Sequence, residues 1–300
     1  VAPPLVSVLL TSFNREPYIA ASIESVLAQT FGDFELLIVD DRSTDGTVDI
    51  ARRYAQSDSR IRVVQNERNL GQFANRNHAA SLATAGLLKF HDSDDLMYPH
   101  CLGVMVPAML GEPGAGFGLS NSRHWPGGPV PMLLTPRQSY QREFLGFGLF
   151  MCGPAGAIFR TDVFRELGGF QDYGTPSDTI FWIRACAAYP ALLLPADLFY
   201  YRQHQGQAFQ EAGVARQYAT VSAHMWRALS LPDCPLDKAD RVRARRNVAY
   251  SVAKSAWQAM RGGDPSLAWR RLSASGLSAG DWLRYLRPPR RSADAGVPAA

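Results

Sequence analysis

The segment Lys89-Phe90-His91-Asp92-Ser93-Asp94-Asp95 places three carboxylic acids within four positions, directly after a short apolar run. Carboxylates this close repel one another, and a cation bound among them relieves the repulsion. A hard divalent ion such as Mg²⁺ or Mn²⁺ suits the position, because it takes one or two carboxylate oxygens and leaves sites for phosphate oxygens and water. Aspartate after a strand also serves as a turn residue or a helix N-cap, so the segment alone leaves both readings open. A second run, Leu36-Leu37-Ile38-Val39-Asp40-Asp41-Arg42-Ser43-Thr44-Asp45, ends a buried apolar stretch on adjacent acids. One of them could accept from the N3–H of a pyrimidine or from a ribose hydroxyl while Ser43 and Asp45 shape the turn; a plain capped turn is the alternative. Receiver domains also end a strand on adjacent acids, but there the acids follow the first strand of a far shorter chain.

The elements that must hold these acids alternate regularly. Leu5 to Thr11 reads as a strand, and Pro17 to Thr30 as a helix with Ile19, Ile23, Val26 and Leu27 on one face. Phe34 to Asp40 follows as a buried strand, Asp45 to Ser57 as a helix, Ile61 to Gln65 as a strand, Gln72 to Thr84 as a helix and Leu87 to His91 as a strand. Strands alternating with helices predict parallel pairing through right-handed crossovers, hence an α/β fold with a mainly parallel central sheet. Ligands of such sheets lie beyond the carboxyl ends of the strands. Polar residues gather at each of those ends: Thr11 to Arg15, Asp40 to Asp45, Asn66 to Gly71 and Asp92 to Asp95.

Farther on, Pro99 to Leu110 reads as a helix, Phe117 to Ser122 as a strand, Ser122 to Arg142 as a loop rich in proline and glycine, Ala155 to Phe159 as a strand, Pro176 to Tyr189 as a helix and Leu192 to Tyr201 as a strand region. From about residue 208 the pattern turns helical. Ala239 to Met260 sets Val248, Val252, Ala256 and Met260 on one stripe, and Ser278 with Asp281 forms a capping box before Trp282, Leu283 and Leu286.

Composition excludes several classes. The chain has 300 residues, 46 % hydrophobic and 19 % charged, as a folded globular protein has, and no uncharged stretch reaches the length of a membrane span. Val1-Ala2-Pro3-Pro4 shows no signal-peptide pattern, which makes the cytoplasm the expected compartment. Cys101, Cys152, Cys186 and Cys234 lie tens of residues apart and read as small apolar residues. The net charge of +4 hides an asymmetry: residues 215–300 carry 15 Lys plus Arg against 6 Asp plus Glu, leaving 16 against 21 for residues 1–214. An acidic body with a basic tail does not suit a nucleic-acid binder.

Four motifs now stand in order: Val6-Ser7-Val8-Leu9-Leu10-Thr11-Ser12-Phe13-Asn14, Leu37 to Asp45, Asn69-Leu70-Gly71 with Arg76-Asn77, and Asp92-Ser93-Asp94-Asp95. Together they resemble the motif set of family-two inverting glycosyltransferases of the GT-A fold, over residues 5 to about 110 and more weakly through Gly168-Gly169-Phe170, Ser177-Asp178 and Tyr201-Arg202-Gln203-His204. The resemblance implies a GT-A catalytic domain over residues 1–210, with a nucleotide-sugar half over 1–110 and an acceptor half over 111–210. A helical C-terminal extension over 211–287 and a disordered tail over 288–300 complete the expected organisation.

It also implies roles. Thr11, Asn14 and Asp41 bind the nucleoside, with Asp41 at the base; Arg76 lies near the nucleotide, Asp94 at the ribose or the metal, and Asp95 is the direct ligand of Mn²⁺ or Mg²⁺. Asp178 matches the family's catalytic acid, which takes the proton of the acceptor hydroxyl, although the residue before it, commonly acidic, is here Ser177. His204 is a candidate further metal or phosphate ligand, and Arg202 a candidate partner of a donor phosphate; His91 and Asp92 are expected to support the site. The implied reaction moves a sugar from a nucleoside-diphosphate donor, with a UDP-sugar favoured, to a glycan or lipid-linked acceptor. No Gln-x-x-Arg-Trp motif is present, which favours single additions over processive synthesis.

A nucleotidyltransferase is the rival enzyme class, although Thr11 to Arg15 lacks its glycine-rich basic loop; a sugar-nucleotide or glycan-binding protein without catalysis is the rival outside enzymes. The basic tail, from Arg241, Arg243, Arg245 and Arg246 through Arg270, Arg271, Arg284, Arg287, Arg290 and Arg291, is either a solvated face or a peripheral contact with anionic lipid at the inner face of a membrane.

Overall fold

In the computed structural model, residues 2–120, 129–146, 148–150, 152–204 and 217–285 are described. The strands run Val6–Ser12 (β1), Phe34–Asp40 (β2), Ile61–Gln65 (β3), Leu87–Asp92 (β4), Leu96–Met97 (β5), Phe117–Ser120 (β6), Met132–Leu134 (β7), Ala157–Arg160 (β8), Ala191–Leu194 (β9) and Phe199–Tyr200 (β10). The helices run Ile19–Leu27 (α1), Thr47–Ser57 (α2), Gln72–Leu82 (α3), Cys101–Gly111 (α4), Pro136–Leu145 (α5), Thr161–Glu166 (α6), Ser177–Ala188 (α7), Val221–Ala228 (α8), Lys238–Arg261 (α9), Pro265–Ser273 (α10) and Ala279–Tyr285 (α11). The chain forms two compact units.

The first unit, residues 1–133, 152–172 and 190–204, is built on a mainly parallel sheet. Its order is β3-β2-β1-β4-β8-β6-β9-β7. β1 pairs in parallel with both β2 and β4, while β8 runs antiparallel between β4 and β6. Burial on both faces explains the unbroken apolar runs in β1 and β2, whose Val8, Leu9, Leu10, Leu36, Leu37 and Ile38 are fully buried. The chain leaves β1 toward β2 and β3 on one side and returns to β4 on the other, so the strand order reverses at β1. Register brings the reversal to the motifs: Thr11 lies opposite Val39 and opposite Asp92, and Ser12 opposite Asp40. All four cysteines are buried and none is in a disulfide, as their spacing suggested.

The second unit, residues 134–151, 173–189 and 205–300, is helical in its described part. The Tyr140 hydroxyl of α5 donates to the Ile183 carbonyl of α7 at 2.8 Å, and Asn247 Nδ2 of α9 donates to the Phe144 carbonyl at 2.8 Å. Helices α9 and α10 form a hairpin closed by Ala256, Ala259 and Ala268. The capping box holds, with Ser278 Oγ and Asp281 Oδ2 2.6 Å apart and the Asp281 N–H returning to Ser278 Oγ at 3.2 Å.

Several expectations need correction. Residues 122–142 are no uninterrupted loop: 132–134 form β7, and 136–145 form α5. Pro136 starts that helix, because proline at the first helical turn sacrifices no hydrogen bond, and Thr135 with Gln138 supplies a capping box. Leu192 to Tyr201 divides into β9 and β10, separated by a turn in which Asp197 adopts a φ of 60°. Met260 leaves the buried stripe and is 56 % exposed, while Ala259 is buried instead. Each step of four residues turns a helix by about 40° past a full turn, so three steps carry Met260 roughly 120° from Val248. Leu286, Arg287, Arg290, Arg291 and the expected tail over 288–300 lie outside the described residues.

Candidate active site

Four strand ends supply the site of the first unit. At the end of β2 the two acids divide the work. The Asp40 carboxylate accepts from Ser12 Oγ at 3.1 Å, the Ser43 N–H at 2.8 Å and Gln65 Nε2 at 3.3 Å, tying β1, β2 and β3 together. Asp41 turns to the 66–71 segment: Oδ1 accepts from Asn66 Nδ2 and the Leu70 N–H, both at 2.8 Å, and Oδ2 from the Gly71 N–H at 2.9 Å. Gly71, with a φ of 89°, provides the backbone that brings this N–H to the carboxylate. A carboxylate has about four acceptor positions, so Oδ2 retains one for a further donor. Asn66 also donates to Asn75 Oδ1 at 2.9 Å, and Asn75 Nδ2 to the Val39 carbonyl at 3.0 Å, lacing α3 onto the sheet.

The loop after β1 crosses to the β2 loop. Asn14, at a φ of 51°, accepts the Thr44 N–H on Oδ1 at 2.9 Å and donates its own N–H to Ser43 Oγ at 2.8 Å. Asparagine tolerates this left-handed backbone better than most residues. Thr11, one turn of chain earlier, is half-buried in β1 beside Asp92.

The acids after β4 occupy three different environments. Asp92 forms an ion pair with Arg76, which is 3 % exposed and leaves Nε and Nη1 buried without a partner. Burial would raise the Asp92 carboxyl, but Arg76 beside it holds it below the ordinary value. Asp94 Oδ2 receives Arg15 Nε and meets His204 Nε2, both at 3.0 Å. Asp95 is 1 % exposed; its Oδ1 accepts the Arg202 N–H at 3.0 Å, and its Oδ2 is buried with no partner. Burial first, then the neighbouring Asp92 and Asp94, push the Asp95 carboxyl up to about 8. Beneath them in β4, fully buried Lys89 donates from Nζ to the Phe90 carbonyl at 2.7 Å and to the Ala155 carbonyl. His91 is buried too, and burial together with Lys89 lowers it to about 3, so the ring is neutral.

An orphaned carboxylate oxygen between two more acids fits a hard divalent cation. Among the described residues, no three His, Cys, Asp or Glu side chains close into a metal cage. The donor set therefore suits an ion that takes one or two carboxylates and completes its shell from a phosphate-bearing ligand and water.

Asp94, Asp95, His204 and Arg76 thus come together at one strand end, with Thr11 beside them and with Asn14 and Asp41 fixing the adjoining loops. Asp178 belongs to the second unit, where it is half-buried in the first turn of α7 and accepts the Thr179 N–H at 2.6 Å. Ser177, in the commonly acidic position, is buried and locks the preceding turn by donating to the Gly174 carbonyl at 2.6 Å and accepting the Tyr173 N–H at 2.8 Å. Arg202 reaches the acids through its backbone N–H and through Nε, which donates to the Asp94 carbonyl at 2.9 Å. Sequence reasoning missed Arg15, whose signal was a basic residue in the loop beside the chain reversal, and Tyr18, whose ring lies 4.3 Å from that of His204.

A family model described as glycosyl transferase family 2 matches residues 7–168. The Escherichia coli protein named UDP-Glc:alpha-D-GlcNAc-diphosphoundecaprenol beta-1,3-glucosyltransferase WfgD is 41 % identical over 106 residues, which are 35 % of this chain and 41 % of that protein. The chain spans well under half the length of the curated relatives it matches, 37 %, 36 % and 41 % of three of them. Among solved structures, S. aureus TarS 1-349 in complex with UDP-GlcNAc superposes with a TM-score of 0.63 at 24 % identity, covering 82 % of this chain and 73 % of that one. The mannosyltransferase PcManGT from Pyrobaculum calidifontis, in complex with GDP-Man and Mn²⁺, gives 0.63 at 20 % identity, covering 95 % and 80 %. At these identities the likeness concerns the fold alone, which is the GT-A-like α/β fold that the motifs implied.

Proposed function

The chain belongs to glycosyl transferase family 2, and from that premise we propose a metal-dependent, inverting, non-processive glycosyltransferase. It moves a sugar from a nucleoside-diphosphate donor, with a UDP-sugar favoured, to a glycan or lipid-linked acceptor hydroxyl in polysaccharide or glycoconjugate biosynthesis. The observation that carries the reading is Asp95: a buried carboxylate with one orphaned oxygen, flanked by Asp92 and Asp94, at the end of the strand beside the chain reversal. The UDP preference rests on two similar proteins, WfgD by its name and TarS by its bound UDP-GlcNAc. GDP-Man with Mn²⁺ in PcManGT supports a divalent ion and keeps the base an open experimental variable.

In this reading Asp95 holds the ion, with Asp94 and His204 assisting. When bound, the ion stabilises the negative charge that gathers on the departing diphosphate. Thr11 and Asn14 border the nucleoside, Asp41 offers its remaining acceptor position to the base, and Arg76 orients Asp92 close to the nucleotide. Asp178 accepts the proton of the acceptor hydroxyl as that oxygen bonds to the anomeric carbon and the bond to the phosphate oxygen breaks on the opposite face. Residues 1–210 form the catalytic domain in this proposal, with the remainder an accessory segment.

A thermal-shift panel of UDP, GDP, TDP and CDP, with and without Mn²⁺, tests the donor half. One nucleotide should stabilise the protein in an Mn²⁺-dependent way, whereas equal shifts for all four, or none dependent on the ion, overturn it. For the transfer step, Asp178→Asn should abolish turnover and keep nucleotide binding; an unchanged rate removes Asp178 from the mechanism.

A further inference from the structure

The arginines of the C-terminal helices do not act alike. Arg241 donates to the Leu231, Cys234 and Leu236 carbonyls at 3.2, 3.0 and 3.4 Å. Arg245 donates to the Leu229 carbonyl at 3.2 Å and to Ser230 Oγ at 3.0 Å, with its guanidinium 5.4 Å from the Trp226 ring. Arg271 reaches the Ser255 carbonyl at 2.6 Å. These three serve the second unit as internal carbonyl partners, so they are not a free basic face.

A different set on α9 faces outward. Arg243, Arg246, Tyr250, Lys254, Trp257 and Arg261 follow one another at spacings of three or four, and at about 100° per residue they share an arc of roughly 80°; all are exposed except Arg246, which is half-buried. The buried residues Ala244, Val248, Val252, Ala256 and Ala259 lie opposite. The sequence from 241 to 263 holds no Asp or Glu, so beyond Asp240, which pairs with Arg243 at 3.2 Å, α9 itself offers the stripe no counter-charge. Its aromatic rings are open: Tyr250 is 41 % and Trp257 58 % exposed, and Arg261 lies 4.8 Å over the Trp257 ring. On the other arm of the hairpin, Trp269 is 71 % exposed beside Arg270.

A merely solvated helix face gains nothing from exposed indole and phenol rings. Aromatic rings interleaved with cations suit a boundary that is apolar on one side and negatively charged on the other, which is the headgroup region of an anionic bilayer. We propose that the α9 stripe, with Trp257 at its centre of apolar contact, docks this protein on an anionic lipid surface. The inference deepens the proposed transferase reading by naming where a lipid-linked acceptor would be met, and its test does not depend on sugar transfer.

The full chain is sedimented with vesicles of phosphatidylcholine alone and of phosphatidylcholine mixed with phosphatidylglycerol. Binding to the anionic vesicles only is expected, with a blue shift of tryptophan emission that Trp257→Phe diminishes. Lys254→Glu with Arg261→Glu should lower vesicle affinity roughly tenfold or more, while the melting temperature and the UDP-induced thermal shift remain as in the parent protein. Equal binding to both vesicle types, anionic binding unchanged in the double variant, equally tight binding to soluble dextran sulfate, or a concentration-dependent dimer that the double variant dissolves would each overturn the proposal, the last by assigning the face to a second copy. Loss of nucleotide response with vesicle binding intact would count against the donor site instead and leave the docking surface standing.

Discussion

Arg15 and His204 approach the same carboxylate oxygen, Oδ2 of Asp94, each at 3.0 Å and from opposite parts of the chain. The Arg15 guanidinium on that oxygen competes with any cation that would use it. With side chains 25 % and 14 % exposed the pair is only partly screened, but desolvation offsets much of its attraction and leaves a net of about 0.5–1 kcal/mol. Arg15→Gln should therefore raise the affinity for Mn²⁺ alone by roughly two- to five-fold, as read by titration calorimetry. Unchanged or weaker Mn²⁺ binding would show that Arg15 does not compete for Asp94.

The Asp95 carboxyl, raised to about 8 from 3.8, makes the metal-free protein sensitive to pH. A raised folded-state value means that the stability it contributes is complete below about pH 3.8 and is lost as pH climbs through 8, because the buried group must ionise. Asp95→Asn should flatten the decline of the melting profile between about pH 4 and pH 8. In the parent protein, Mn²⁺ should raise the melting temperature more at pH 8 than at pH 6, since the ion needs the deprotonated form. An Mn²⁺ shift that is the same at both would assign the ion to other ligands.

Asp41 combines an anchor with the proposed base contact, and the two can be separated. Asp41→Asn turns an amide toward at least one N–H now held by a carboxylate, at a cost of about 1–3 kcal/mol. Asn66→Ala removes a donor from the same anchor and leaves the carboxylate in place. Both variants should melt earlier, while only Asp41→Asn should lose nucleotide affinity beyond what the shared loosening causes. Equal nucleotide affinity in the two variants would make Asp41 a purely structural residue.

The strand ends were legible in the sequence because each is a local pattern: an apolar run of fixed length that stops on Asp or Asn. The bounds of β2 and β3 coincide with the expected ones, and the acids of residues 92–95 stand where the strand pattern ends. What local pattern cannot contain is pairing at long range. The short ladder of β5 with β10, Met97 opposite Phe199 and Leu96 opposite Tyr200, brings Arg202 and His204 to the acids, yet neither strand is long enough to announce itself. Pro136 misled for a different reason, since the same ring that breaks a helix interior begins a helix well. Arg15 escaped notice because its importance lies in the partner it meets, 79 residues away.

The arrangement of charge at the end of β4 has a thermodynamic corollary. Asp92 has Arg76 and Asp94 has Arg15, so two of the three acids already own a guanidinium, while among the described residues Asp95 forms no ion pair and leaves Oδ2 without a hydrogen-bond partner. A dication entering on its own brings more positive charge than one carboxylate balances, and a diphosphate entering on its own meets Asp94 and Asp95. Arriving together, each neutralises the excess of the other. Linkage then requires that Mn²⁺ tighten nucleotide binding by the same factor by which the nucleotide tightens Mn²⁺, so the resting protein should hold neither strongly and both well.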